Sequence, residues 1–214
     1  MIPETMSFLD DTKNFGLVML ILGLVASISA LVSIADSFGN DMIDVLLYVG
    51  QVIYALMILT FGFAIYSGKI LLFKDLYDQG VDSKFGILAT FVTILGVANL
   101  ILGALAIGNH FMDNCTDTLA AGAVNIVVGI ILLIVAMFMK DGATTTMDKI
   151  IWIILAIVFI LGIIGSFIGI FAVFDGGEAL TVAVNLLVAI CYTLMYLMLF
   201  VYLISDEVKA KMGM

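Results

Sequence analysis

The stretch "IIWIILAIVFILGIIGSFIGIFAVF", residues 150–174, runs for 25 residues without a charge. A helix crossing a bilayer needs about 20 predominantly apolar residues, so this segment is long enough to span one. Five more runs of the same kind lie at 15–36, 45–67, 85–108, 118–139 and 179–204. The chain as a whole is 64% hydrophobic and 12% charged, with a mean hydropathy of +1.29. The runs are continuous rather than alternating, which excludes an outer-membrane barrel. Connections this short leave no room for a soluble domain. The sequence therefore predicts an all-α polytopic membrane protein, one six-helix domain over 1–214, built as three tandem helical hairpins at about 15–67, 85–139 and 150–204. The segment "MIPETMSFLDDTKN" before the first run is acidic and no A-x-A site follows, so that run reads as a retained helix rather than a signal peptide.

Charge placement predicts the orientation. The eight basic residues are all lysines, at Lys13, Lys69, Lys74, Lys84, Lys140, Lys149, Lys209 and Lys211, and they fall only before helix 1, in alternate connections, or after helix 6. Lysines flanking spans stay on the cytoplasmic side. Both ends of the chain are thus expected in the cytoplasm of a multi-pass cell-membrane protein. The other connections carry acids alone: Asp36, Asp41, Asp44, Asp113, Asp117, Asp175 and Glu178. These acids account for much of the net charge of −9, and no basic face exists to bind nucleic acid.

The same alternation suggests a pseudo-threefold internal repeat. "ILG" recurs at Ile21–Gly23, Ile94–Gly96 and Ile160–Gly162, while "AVNIVVGI" at 123–130 returns as "AVNLLVAI" at 183–190. An acid opens each second helix, at Asp44, Asp117 and Glu178, and an amide follows at Gln51, Asn125 and Asn185. Such acids favour a helix N-terminus by about 0.3–1 kcal/mol. They also compose an acidic outer rim able to collect cations.

An amide seven residues into a helix lies about 10 Å below its start, inside the hydrocarbon. Gln51, Asn99, Asn125 and Asn185, with Ser27 and Ser166 near them, are therefore expected to form one polar layer in the outer half of the membrane. Two roles suit it: interhelical hydrogen bonding, at about 0.6 kcal/mol per contact, or the lining of a hydrated path. Gly23, Gly96, Gly103, Gly122, Gly129, Gly162, Gly165 and Gly169 are expected at close helix contacts. Of the tyrosines, Tyr54, Tyr192 and Tyr196 lie too deep to be interfacial anchors.

Catalytic and metal-binding patterns are sparse. No Asp, Glu, Lys or His lies deep within a span, as an ion-driven pump would require. His110, Asp113 and Cys115 offer three ligands at most in one outer loop, so neither metal nor cofactor is expected. Cys191 lies about 20 Å below the outer face and cannot bridge to Cys115. The connection 67–84, "SGKILLFKDLYDQGVDSK", mixes apolar and charged residues as an amphipathic helix on the membrane surface does, with a partner-binding helix as the alternative.

The tandem pair "TILGVANLILGALAIGN" and "AAGAVNIVVGIILLIVAMFM" resembles the acid-resistance membrane protein family of the HdeD type. The resemblance is best in the middle pair and rests on glycine and apolar spacing. It implies six helices, a triple repeat and a link to stress tolerance, and no functional residue follows from it. The chain departs from the family in its outer turns, "FGND", "GNHF" and "FDGG", which lack the usual proline.

Two functions suit these residues. The first is a non-enzymatic membrane protein with a structural or partner-binding role in envelope maintenance, its candidate partners the bilayer, a second copy or another membrane protein. The second is a passive channel or facilitator for a small solute or cation, with the amide layer as constriction and the acidic rim as mouth.

Overall fold

The computed structural model of the protein describes residues 4–39, 45–68, 83–113, 116–140, 145–173 and 179–214. Among them every regular element is helical. The helices are α1 (Glu4–Asp10), α2 (Thr12–Gly39), α3 (Val45–Ser67), α4 (Lys84–Asp113), α5 (Thr116–Lys140), α6 (Thr146–Ala172), α7 (Ala179–Leu203) and α8 (Asp206–Lys211). Helices α2 to α7 each contain a candidate membrane span, 22 to 28 residues long. At 1.5 Å per residue that is roughly 33–42 Å, enough for a hydrocarbon core of about 30 Å. The short α1 and α8 lie at one end of the bundle, here called the terminal end. The other is the loop end. Residues 69–82, most of the amphipathic connection expected at 67–84, lie outside the described residues.

Consecutive spans pack mainly on each other: α2 on α3, α4 on α5, α6 on α7. Glycines set the closeness of the first two pairs. A methyl group added at Gly23 would lie 2.5 Å from the backbone nitrogen of Leu59, and one at Gly62 would lie 2.5 Å from that of Leu20. In the second pair, Gly103 faces the carbonyl of Gly122, and Gly129 faces that of Gly96, at 2.7 and 2.8 Å from the corresponding Cβ positions. Lipid supplies no hydrophobic drive for helix association, so such close backbone contact is how membrane helices gain attraction.

Helix α4 is the most buried span and touches α3, α5, α7 and α8. Of its apolar window 56% is buried, against 11% for α6 at the periphery. The core is concentrated toward the terminal end, where Phe15, Met19, Phe61, Ile87, Leu88, Phe91, Tyr202, Val208 and Met212 are all buried. Phe15 meets the Tyr202 ring at 5.5 Å.

Polar contacts tie the pairs together at that end. The Tyr202 hydroxyl donates to the carbonyl of Asp11 at 3.1 Å, and Trp152 Nε1 donates to that of Leu203 at 2.9 Å. Lys84 forms an ion pair with Asp10 and sits over the Tyr202 ring. The Phe85 N–H donates to Glu207 at 3.3 Å. At the start of α6, the Asp148 carboxylate accepts from both the N–H and the hydroxyl of Thr145, at 2.6 and 2.8 Å. Asp148 itself is buried, and this local closure compensates its desolvation.

Candidate functional site

Of the six residues of the polar layer, Ser166 and Asn185 border one groove between α6 and α7, and no hydrogen bond joins the six among the described residues. Gln51 on α3 and Asn185 on α7 are exposed on the helix bundle, Asn125 on α5 is partly exposed, and Asn99 turns back to donate to its own helix at the Leu95 carbonyl, 2.8 Å away. Ser27 and Ser166 do the same, donating to the carbonyls of Gly23 at 2.6 Å and Gly162 at 2.7 Å. Serine back-bonding to the preceding turn satisfies the hydroxyl without a second helix. Among the described residues no hydrogen bond joins any of the six to a neighbouring helix or to one another.

The acidic rim cannot be placed. Asp41, Asp44, Asp175 and Glu178 lie outside the described residues, as do the side chains of Asp36, Asp113 and Asp117, and Cys115. Among the described residues no group of three or more His, Cys, Asp or Glu could hold a metal ion. Cys191 is a buried free thiol.

One buried amide was not singled out from the sequence. Asn109, near the loop end of α4, is 1% exposed, and neither its amide nitrogen nor its oxygen has a partner among the described residues. Leu102 and Leu105 pack against Gly50 of α3, and Asn109 continues that face of α4 at helical spacing. A discernible signal existed, an amide on an apolar stripe, but only tertiary packing decides that it is buried.

A groove of about 400 Å³ lies between α6 and α7. Gly162, Gly165, Ser166 and Gly169 form one wall, and Asn185, Val188, Ala189, Tyr192 and Tyr196 form the other. It exists because the third pair is splayed. The Tyr196 ring stands on Gly162, where an added Cβ would lie 2.6 Å from Cδ1, and it wedges the helices apart. Toward the loop end, the Cβ positions of Gly165 and Gly169 have nothing within 4 Å. Tyr54 on α3, like Tyr192 and Tyr196 on α7, packs against the hydrophobic core. The eight interface glycines of the sequence therefore separate into two groups. Gly23, Gly96, Gly103, Gly122, Gly129 and Gly162 are met by a neighbouring helix within 3 Å of their Cβ positions, whereas Gly165 and Gly169 border open space.

Six apolar helices of spanning length make this a multi-pass integral membrane protein in contact with a lipid bilayer. No protein-family model, curated protein or solved structure matches the chain.

Proposed function

We propose that the chain is a non-enzymatic membrane protein with a partner-binding role in envelope maintenance, and that it engages its partner within the bilayer through the α6/α7 groove. The observation that carries this reading is the open face at Gly165 and Gly169. Small residues on a spanning helix serve close approach by another helix, and here their own chain leaves the place vacant. The link to stress tolerance rests on the resemblance to the acid-resistance membrane proteins. Residency in the cell membrane with both described ends cytoplasmic rests on the lysine distribution.

A passive channel draws less support from this packing. A conduit needs polar groups facing one axis, while Gln51 and Asn185 lie on the outer surface of the bundle.

The test is photocrosslinking in native membranes from a benzophenone side chain at Val188, which lines the groove, compared with one at Ile131 on the exposed face of α5. A discrete protein adduct from Val188 alone is the expected result. Lipid adducts only, indistinguishable at the two positions, would overturn the reading.

A further inference from the structure

We infer that the loop-end half of α6 is a hinged lid on this groove, propped open by the Tyr196 ring and able to close onto α7 when that ring swings off Gly162. Such a lid goes beyond the partner-binding reading and does not depend on it.

Helix α6 is anchored along only half of its length. Asp148, Ile151, Leu155 and Phe159 form a buried stripe at spacings of three and four residues, and Trp152 adds its bond to the Leu203 carbonyl. From Ile160 to Val173 no residue of the chain is buried. The stripe nevertheless continues at the same spacing as Gly162, Ser166 and Gly169, now small residues that border the groove. The terminal half is held by packing, and the loop-end half is not.

The change falls at a joint. Ser166 directs its hydroxyl to the carbonyls of both Gly162 and Ile163, and serine back-bonding to the preceding turn bends helices. Gly165 stands beside it, and sharp kinks concentrate at such Gly/Ser pairs.

The second helix pair shows the closed arrangement. There α4 and α5 meet at two levels seven residues apart, Gly96 on Gly129 and Gly103 on Gly122. The contacts Trp152–Leu203 and Gly162–Tyr196 show that α6 and α7 are antiparallel too. Seven residues further toward the loop end, Gly169 is therefore level with Ala189. Both line the groove, yet the Cβ position of Gly169 has nothing within 4 Å. The difference between the two pairs lies at the first level, where Gly162 faces an aromatic ring and Gly96 faces Gly129. Tyr196 is only partly buried, and among the described residues its hydroxyl has no hydrogen-bond partner, so no such bond pins the ring on Gly162. With the ring turned aside, Gly169 and Ala189 can approach backbone to backbone and gain the van der Waals contact that draws membrane helices together.

The experiment uses the full chain with Cys115→Ser and Cys191→Ala in phosphatidylcholine and phosphatidylglycerol vesicles. Nitroxide labels are attached at Ile168→Cys on α6 and Leu187→Cys on α7, both exposed positions in the loop-end halves. A second labelled pair, Ile154→Cys and Ile204→Cys, reports the anchored end. Pulsed dipolar spectroscopy should give two distances for the first pair and one for the second. Tyr196→Ala should shift the first pair toward its shorter distance, and Tyr196→Phe, which keeps the ring, should not. A single distance at Ile168/Leu187, or a distribution that Tyr196→Ala leaves unchanged, would overturn the lid. Should the alanine variant fail to fold, the measurement with the native ring decides by itself. The labels read a distance within one chain, so a missing Val188 photoadduct would remove the partner-binding reading and leave the lid standing.

Discussion

The ring of Tyr196 stands on the bare backbone of Gly162, and this one relationship holds the third helix pair apart where the first two are closed. Gly162→Ala would push a methyl group into the ring, 2.6 Å from Cδ1. The ring borders the open groove and can tilt toward it, so a loss at the low end of overpacking, about 1 kcal/mol, is expected. Gly165→Ala and Gly169→Ala should leave stability unchanged or raise it by up to about 1 kcal/mol through helix propensity. Unfolding in mixed micelles checks the contrast, and equal effects at all three positions would contradict the splayed packing.

Gly23→Ala and Gly103→Ala test the closed pairs. Their added methyl groups meet backbone, at 2.5 Å for Leu59 and 2.7 Å for Gly122, and a helix backbone gives way less readily than a side chain. Each substitution should cost at least about 1–3 kcal/mol, read as a lowered unfolding midpoint. Neutral behaviour at both would mean that these helices are further apart than described.

Asn109→Leu should stabilise the protein. Both polar atoms of this amide are buried without a partner among the described residues, and replacing them with an apolar side chain of similar size recovers about 1–3 kcal/mol of desolvation. A clear loss of stability in the same micelle assay would show that the amide has a partner in the membrane.

At the terminal end, two contacts of different kinds should differ in weight. Tyr202→Phe removes a hydroxyl that donates to the Asp11 carbonyl from a fully buried ring, at an expected cost of about 0.5–1.5 kcal/mol. Lys84→Met removes a partly solvated ion pair with Asp10, and exposed pairs contribute about 0–1 kcal/mol. High salt should erase most of the second effect and little of the first. The reverse salt dependence would contradict these assignments.

Orientation is open to a direct test. Single cysteines at Asn40 and Gly177 in a Cys115→Ser background should react with an impermeant thiol reagent added to intact cells, and one at Gln79 should stay protected. The opposite labelling pattern would invert the topology.

Much of the fold was legible because bilayer thickness acts on sequence directly. The uncharged run at 150–174 had to become a helix, observed as Thr146–Ala172, because only helices and closed barrels satisfy every backbone group in hydrocarbon. The other five runs obey the same rule. At Gly23, Gly103, Gly122 and Gly129 a backbone atom of the neighbouring helix lies within 3 Å of the Cβ position, which leaves room only for glycine, while at Gly96 the Leu133 side chain closes in. Helix rotation was decided by tertiary structure alone. In a soluble protein a polar stripe marks the outer face, but lipid tails are as apolar as a protein core, so nothing in "AVNIVVGI" or "AVNLLVAI" states which way its asparagine points. Packing turned Asn185 outward, buried Asn109, made α4 the most buried span, and left Gly165 and Gly169 open while their counterparts closed on a neighbouring helix.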